Sequence, residues 1–231
     1  LLYASWARGS KSGGFSTAVS LPEDAEYDTE EAETAEAGVK LQLAGGAAIL
    51  NLALFRTAID DFQVVRFTGL GFETATIPVK SEGLELESQW AASADLALAA
   101  SITYTDATEK TTGDAVPGAP DWSASLTARY EHALGPGQLR WRLEGTLNYV
   151  DKRYTDRPEK FLIDNTTVLD LRLALLPSGD SWEVALLGRN LLDEEVSFEF
   201  DYPIFGGNDE TTTVAGLNRP RTLALQGRYR F

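Results

Sequence analysis

The sequence predicts an all-β fold, an antiparallel up-and-down β-barrel that crosses a membrane. Three observations predict it. Apolar and polar residues alternate with period two along most of the chain. The alternating segments are long, several of them about ten residues, where an ordinary strand has about five or six. The connections between them are short and long in strict turn.

The opening residues Leu1-Leu2-Tyr3 are already strand-like. In Thr34 to Leu43, Ala35, Ala37, Val39, Leu41 and Leu43 share one face, and Glu36, Lys40 and Gln42 lie on the other. Leu50, Leu52 and Leu54 follow, then Leu84, Leu86 and Trp90 opposed by Glu85, Glu87 and Gln89. Leu96, Leu98, Ala100, Ile102 and Tyr104 form the next apolar set, and Trp122, Leu126 and Tyr130 the one after. Leu139, Trp141, Leu143, Leu147 and Tyr149 alternate with Arg140, Arg142, Glu144, Thr146 and Asn148. Leu169 to Leu175 and Trp182 to Leu187 repeat the pattern. The chain closes on Leu223, Leu225, Gly227, Tyr229 and Phe231, alternating with Ala224, Gln226, Arg228 and Arg230. That makes ten expected strands and no amphipathic helix. Ten residues at roughly 3.3 Å each, tilted by about 40°, climb about 25 Å, the height of the apolar band of an outer-membrane barrel.

Short turns are expected near Ala44-Gly45-Gly46, Ala92-Ser93-Ala94, Leu134 to Gly137 and Pro177 to Asp180. Long loops are expected over Gly9 to Ala32, Asp60 to Ala75, Asp106 to Pro120, Asp151 to Ile163 and Asn190 to Pro220. In an up-and-down barrel every second connection lies on the same rim, and outer-membrane barrels keep short turns on the periplasmic rim. A Greek-key sandwich has no reason for this rhythm. The spacing also fits propeller blades, but their Gly-His and Trp-Asp signature is missing. The apolar face is expected to meet lipid. The other face carries Glu36, Lys40, Glu85, Glu87, Arg140, Arg142, Glu144, Arg172, Arg189, Arg228 and Arg230, a set that needs a wide hydrated or plugged lumen. Outward Tyr104, Trp122 and Tyr149 are expected at the outer rim, and Trp90, Tyr130, Trp141, Trp182, Tyr229 and Phe231 at the periplasmic rim.

Composition narrows the function. The 231 residues carry a net charge of −15, which argues against nucleic acid as a partner. There is no cysteine, so disulfides and thiolate metal sites are excluded. His132, the single histidine, sits beside a Gly-Pro-Gly turn and is expected at the surface rather than in a catalytic group. No enzyme activity, no cofactor and no metal site are expected. The acidic residues Glu23, Asp24, Glu26, Asp28, Glu30, Glu31, Glu33 and Glu36 lack calcium-loop spacing and read best as a solvated loop. No uninterrupted apolar run reaches about 18 residues, a test that is blind to barrels. Nothing resembling a signal peptide precedes Leu1, and the expectation is a piece of a longer protein.

Several stretches together resemble TonB-dependent outer-membrane receptors. They are Tyr3 to Phe15 (YASWARGSKSGGF), Glu33 to Lys40 (ETAEAGVK) and Leu50 to Gln63. Lys80 to Trp90 (KSEGLELESQW), Val116 to Leu126, Leu186 to Glu195 (LLGRNLLDEE) and Asn218 to Phe231 continue the series in the family's order. The resemblance implies that residues 1–231 are the C-terminal portion of the receptor barrel, about the last ten strands of a 22-stranded barrel, without the plug domain and the first strands. It implies a cell outer membrane location in a Gram-negative bacterium and TonB-energised uptake of a bulky nutrient such as a ferric siderophore. The implied partners are outer-membrane lipid and lipopolysaccharide, TonB through the missing N-terminal region, the barrel-assembly machinery and an iron-siderophore. Leu223, Leu225, Tyr229 and Phe231 resemble the family's terminal assembly signal. Phe198, Phe200, Tyr202 and Phe205, on the long final loop, are candidate ligand contacts. A passive porin-like channel and a soluble β-rich binding module are the alternative readings.

Overall fold

The computed structural model describes residues 1–16, 25–67, 72–135, 139–154, 162–203 and 211–231. Its main element is one ten-stranded antiparallel sheet. The strands are β1 (Leu2–Lys11), β4 (Glu30–Leu43), β5 (Ala48–Phe67), β6 (Phe72–Ala91), β7 (Leu96–Glu109), β8 (Trp122–Leu134), β9 (Leu139–Val150), β12 (Thr166–Pro177), β13 (Trp182–Arg189) and β16 (Thr222–Tyr229). They lie side by side in chain order, as an up-and-down meander requires. Three two-stranded hairpins stand in the long connections: β2 (Gly14–Phe15) with β3 (Glu26–Tyr27), β10 (Arg153–Tyr154) with β11 (Leu162–Ile163), and β14 (Val196–Pro203) with β15 (Thr211–Leu217).

The register puts the apolar residues on one continuous surface. Leu96, Tyr130, Leu143, Leu173, Leu186 and Leu225 stand directly opposite one another across successive strands. A second row runs Leu2, Val39, Leu52, Leu86 and Ile102. Because side chains alternate strictly, a slip of one residue anywhere would turn a strand's leucines into the lumen. Among the described residues nothing covers this surface: Leu173 is 47 % exposed, Leu186 52 % and Leu225 77 %. A water-soluble globule would bury them, so the binding-module alternative fails on this point.

Aromatic rings edge the belt at both ends. Tyr104 and Trp122, opposite partners near the long loops, have ring centroids 4.8 Å apart. Tyr130 and Trp141 are 5.2 Å apart near the short turns. Just beyond the Tyr104 level the same face turns ionic, with Arg56 facing Glu82, and Arg8 bonded to Glu31 and Glu33.

The structure departs from the expected boundaries at the long-loop rim. Within the expected loop Asp60 to Ala75, Asp60–Phe67 and Phe72–Ala75 are strand: β5 and β6 continue their pairing to Phe67 and Phe72. Phe62, Val64, Val65, Phe72, Thr74 and Ile77 are strand formers that keep the ladder going past the apolar belt. A bulge between Ile59 and Phe62, with Asp61 at φ 55°, bends the ribbon there. The hairpins β2–β3, β10–β11 and β14–β15 likewise replace structureless loop.

Candidate functional site

The lumen face divides into sectors. On β4 to β6 it is acidic, with Glu36, Glu85 and Glu87 against Lys40. Two glycines here are covered by the aromatic residue directly across the ladder. Tyr3 faces Gly38 and lays its ring over it, with Lys40 Nζ 5.3 Å from the ring centre. Phe55 faces Gly83 in the same way, and a Cβ at Gly83 would fall 2.0 Å from the Tyr104 carbonyl oxygen. Glycine is required at both places so that a ring can lie flat on the wall.

On β7 to β9 the upper wall is hydroxyl-rich. Ser101, Thr103, Ser123, Ser125, Thr127 and Thr146 face the lumen, and Thr127 and Thr146 share a hydrogen bond of 3.1 Å. A shallow groove of ≈ 230 Å³ runs from here to Asn51, Glu87 and Gln89.

Toward the short turns the wall becomes an ion lattice. Glu131 accepts from Arg142 at 2.7 Å, from Arg129 at 3.0 Å and from Arg140. Arg140 also reaches Asp180 at 2.5 Å. Arg172 joins Glu144 at 3.0 Å and Glu183. These groups are only partly wet, with the Glu183 side chain 13 % and the Arg142 side chain 17 % exposed. Ala174 and Leu176, directly opposite Arg142 and Arg140, are 1 % and 3 % exposed because the long arginine stems shield them. Charges in this setting hold together only because each has a partner.

The long-loop rim is tied down in two places. Ser16, 8 % exposed, accepts from the Thr74 amide at 2.8 Å, and Gln63 Nε2 donates to the carbonyls of Ser12 and Asp28. A Cβ at Gly13 would strike the Tyr27 carbonyl at 2.4 Å, which explains the paired glycines of the Lys-Ser-Gly-Gly-Phe stretch. At the base of the last loop, Asn190 is 4 % exposed at φ 48°. Its Nδ2 donates to the carbonyls of Glu194 and Arg219, each at 2.8 Å, and its Oδ1 accepts from the Glu194 amide at 2.9 Å. Asp193 Oδ2 pairs with Arg221 Nη2 at 3.0 Å. Asn190, Asp193 and Arg221 had no role assigned from sequence. The signal was the Asn-Leu-Leu-Asp run itself, in which two short polar residues frame two leucines.

The residues proposed from sequence fall as follows. Leu223, Leu225 and Tyr229 lie on β16 facing outward, and Tyr229 stands opposite Trp182. Phe231 follows the strand with its ring 5.1 Å from Tyr229, edge to face. Phe198, Phe200 and Tyr202 lie on β14, of which only the backbone is described, and Phe205 lies outside the described residues. His132 is a half-exposed partner of Asp95 at 2.6 Å. Of the acidic run, Glu23 and Asp24 lie outside the described residues, while Glu31 and Glu33 pair with Arg8 and Glu30 accepts from the Gln63 amide. Among the described residues no cluster of three His, Asp or Glu is placed to hold a metal.

Known proteins carry the same architecture. The FyuA receptor of Yersinia pestis, named for ferric yersiniabactin uptake, superposes with a TM-score of 0.79 at 20 % identity, over 100 % of this chain and 35 % of that one. FpvA of P. aeruginosa, solved with iron-loaded heterologous pyoverdines, gives 0.74 at 17 %, over 99 % and 30 %. BauA of Acinetobacter baumannii, a ferric preacinetobactin receptor, gives 0.71 at 18 %, over 99 % and 34 %. The chain therefore spans about a third of the length of these structures. At such identities the likeness establishes the fold. The family described as TonB dependent receptor-like, beta-barrel, matches residues 1–191. By that match the chain belongs to the TonB-dependent receptor family, as part of its outer-membrane β-barrel.

Proposed function

We propose that this chain is the C-terminal part of the barrel of an outer-membrane receptor that imports a bulky nutrient, a ferric siderophore, with energy supplied through TonB. One observation carries the reading: a family match over most of the chain joined to a fold likeness, over all or nearly all of it, to three proteins named for ferric chelates. The chain's own share of the work is wall and rim. Its leucine face meets lipid and, beyond the Tyr104 level, lipopolysaccharide. Its lumen face lines the passage, and the tied loops form part of the outer mouth. Phe198, Phe200, Tyr202 and Phe205 are proposed to touch the ligand. Leu223, Leu225, Tyr229 and Phe231 are proposed as the terminal signal read by the barrel-assembly machinery, presenting strand edge and side chains together.

Uptake of radioactive iron by the bacterium tests the reading. Deleting the gene should abolish uptake from one siderophore and leave the others unchanged, and deleting TonB should abolish uptake from that siderophore as well. The wide polar lumen favours a passive porin as the second reading. Uptake that persists without TonB and follows solute size alone would select the porin. For the assembly signal, removing Phe231 should lower the inserted fraction of the full-length protein several-fold without altering the stability of what is inserted.

A further inference from the structure

The ion lattice follows a rule of pairing across the ladder. Arg142 stands directly opposite Glu131, and Arg129 and Arg172 both stand directly opposite Glu144. Each of these pairs is an ion pair, at 2.7, 3.9 and 3.0 Å. At β16 the rule breaks. Arg228 stands opposite Glu183, but the Glu183 carboxylate is turned to Arg172 and Arg142. Arg230 follows on the same face, with its backbone amide on Ser181. Neither Arg228 nor Arg230 has an ion pair among the described residues, and both are exposed. The lattice thus ends in surplus positive charge, in a chain whose net charge is −15.

β16 is also an edge. It pairs with β13 on one side and with no described strand on the other. A strand in a bilayer cannot leave its amides and carbonyls unpaired, so another strand must lie against it. The other edge of the sheet, β1, does not fit electrostatically, since its lumen-facing residues Tyr3, Ser5, Ala7 and Gly9 carry no carboxylate. A second copy of the chain offering β1 fails for the same reason.

We propose that the free edge of β16 receives a strand from elsewhere in the same polypeptide, one that bears lumen-facing Asp or Glu across from Arg228 and Arg230 and so completes the lattice. The closing seam is then specified by charge as well as by backbone pairing. A strand slipped by one residue would turn its carboxylates toward lipid and leave both arginines unpaired. This inference does not depend on the cargo.

The test uses the full-length protein in its own outer membrane. This chain contains no cysteine, so Gln226→Cys, lumen-facing on β16, is a single reporter within it. Oxidative cross-linking against single cysteines scanned along the remaining barrel strands identifies the neighbour and its register. The expected result is an intramolecular cross-link whose register puts Asp or Glu across from Arg228 and Arg230. Neutral or basic residues at those places overturn the proposal, and so does a cross-link between two copies. Arg228→Glu should lower the temperature at which the compact, detergent-resistant form is lost, and reversing the facing carboxylate to Arg should restore it. Absence of that rescue also overturns the proposal. If Arg228→Glu does not insert, Arg228→Gln and the cross-linked register decide.

Discussion

Glu131 and Glu31 show how differently two carboxylates can weigh. Glu131 is 20 % exposed and holds three arginines, whereas Glu31 is 50 % exposed and holds one. Glu131→Gln removes the charge that Arg140 and Arg142 were desolvated against. The expected loss is on the order of 2 kcal/mol or more in the unfolding free energy of the refolded barrel, read from its denaturant midpoint. Glu31→Gln breaks a solvent-screened pair and should cost less than about 1 kcal/mol in the same measurement. Gly83→Ala is expected to be worse than either. The added methyl meets the Tyr104 carbonyl at 2.0 Å and the Phe55 ring at 2.9 Å, and a backbone atom cannot swing aside. A loss of roughly 2–3 kcal/mol, or failure to insert, is the expected outcome. Neither pairing was legible in the sequence. Alternation says that Glu131 and Gly83 face the lumen, but only the register says that Arg142 faces Glu131 and Phe55 faces Gly83.

At the scale of elements, the ten strands could be read in advance because lipid imposes a simple demand. Every second side chain must be apolar over a fixed height, and any strand that fails the demand does not insert. Leu96 to Tyr104 and Leu139 to Tyr149 record it plainly. Beyond the belt the demand stops, and the reading stopped with it. The outer half of β5 and β6 alternates irregularly, and β14–β15 was hidden in a stretch rich in aromatic residues and threonine. The clasp at Asn190 was invisible for another reason. It joins residues such as Asn190 and Arg219, far apart in sequence, through main-chain carbonyls whose identity no side chain reveals. The clasp nevertheless decides how β14–β15 leaves the barrel. Asn190→Ala strips three side-chain hydrogen bonds from a buried site and should cost about 2–4 kcal/mol. Asp193→Ala, at a more exposed pair, should cost about 1 kcal/mol. Limited proteolysis of the folded protein should detect both, with cleavage between residues 196 and 217 accelerated while the rest of the barrel stays intact.

For the whole molecule, the decisive property is that one surface is oily and the other ionic, with the boundary set by register. Nine residues of β7, from Leu96 to Tyr104, extend about 30 Å along the strand, or a little over 20 Å once tilted by about 40°. Leu126→Arg, directly opposite Ala100 at the centre of that span, places a charge in the middle of the belt and should destabilise the barrel by about 2–4 kcal/mol in lipid vesicles. Thr103→Arg, one step off the belt's face and into the lumen, should cost under about 1 kcal/mol. Equal costs at the two positions would contradict the assignment of faces.

The ribbon formed by β5 and β6 is 20 residues long on each side, about 66 Å, far more than the bilayer needs. Its surplus runs on past the apolar belt, stayed by Ser16 on one flank and by Lys110, which pairs with Asp60 at 2.8 Å, on the other. Past the belt the ribbon is held by its own ladder and by these two stays, so its side chains are released from the strict alternation that the belt enforces.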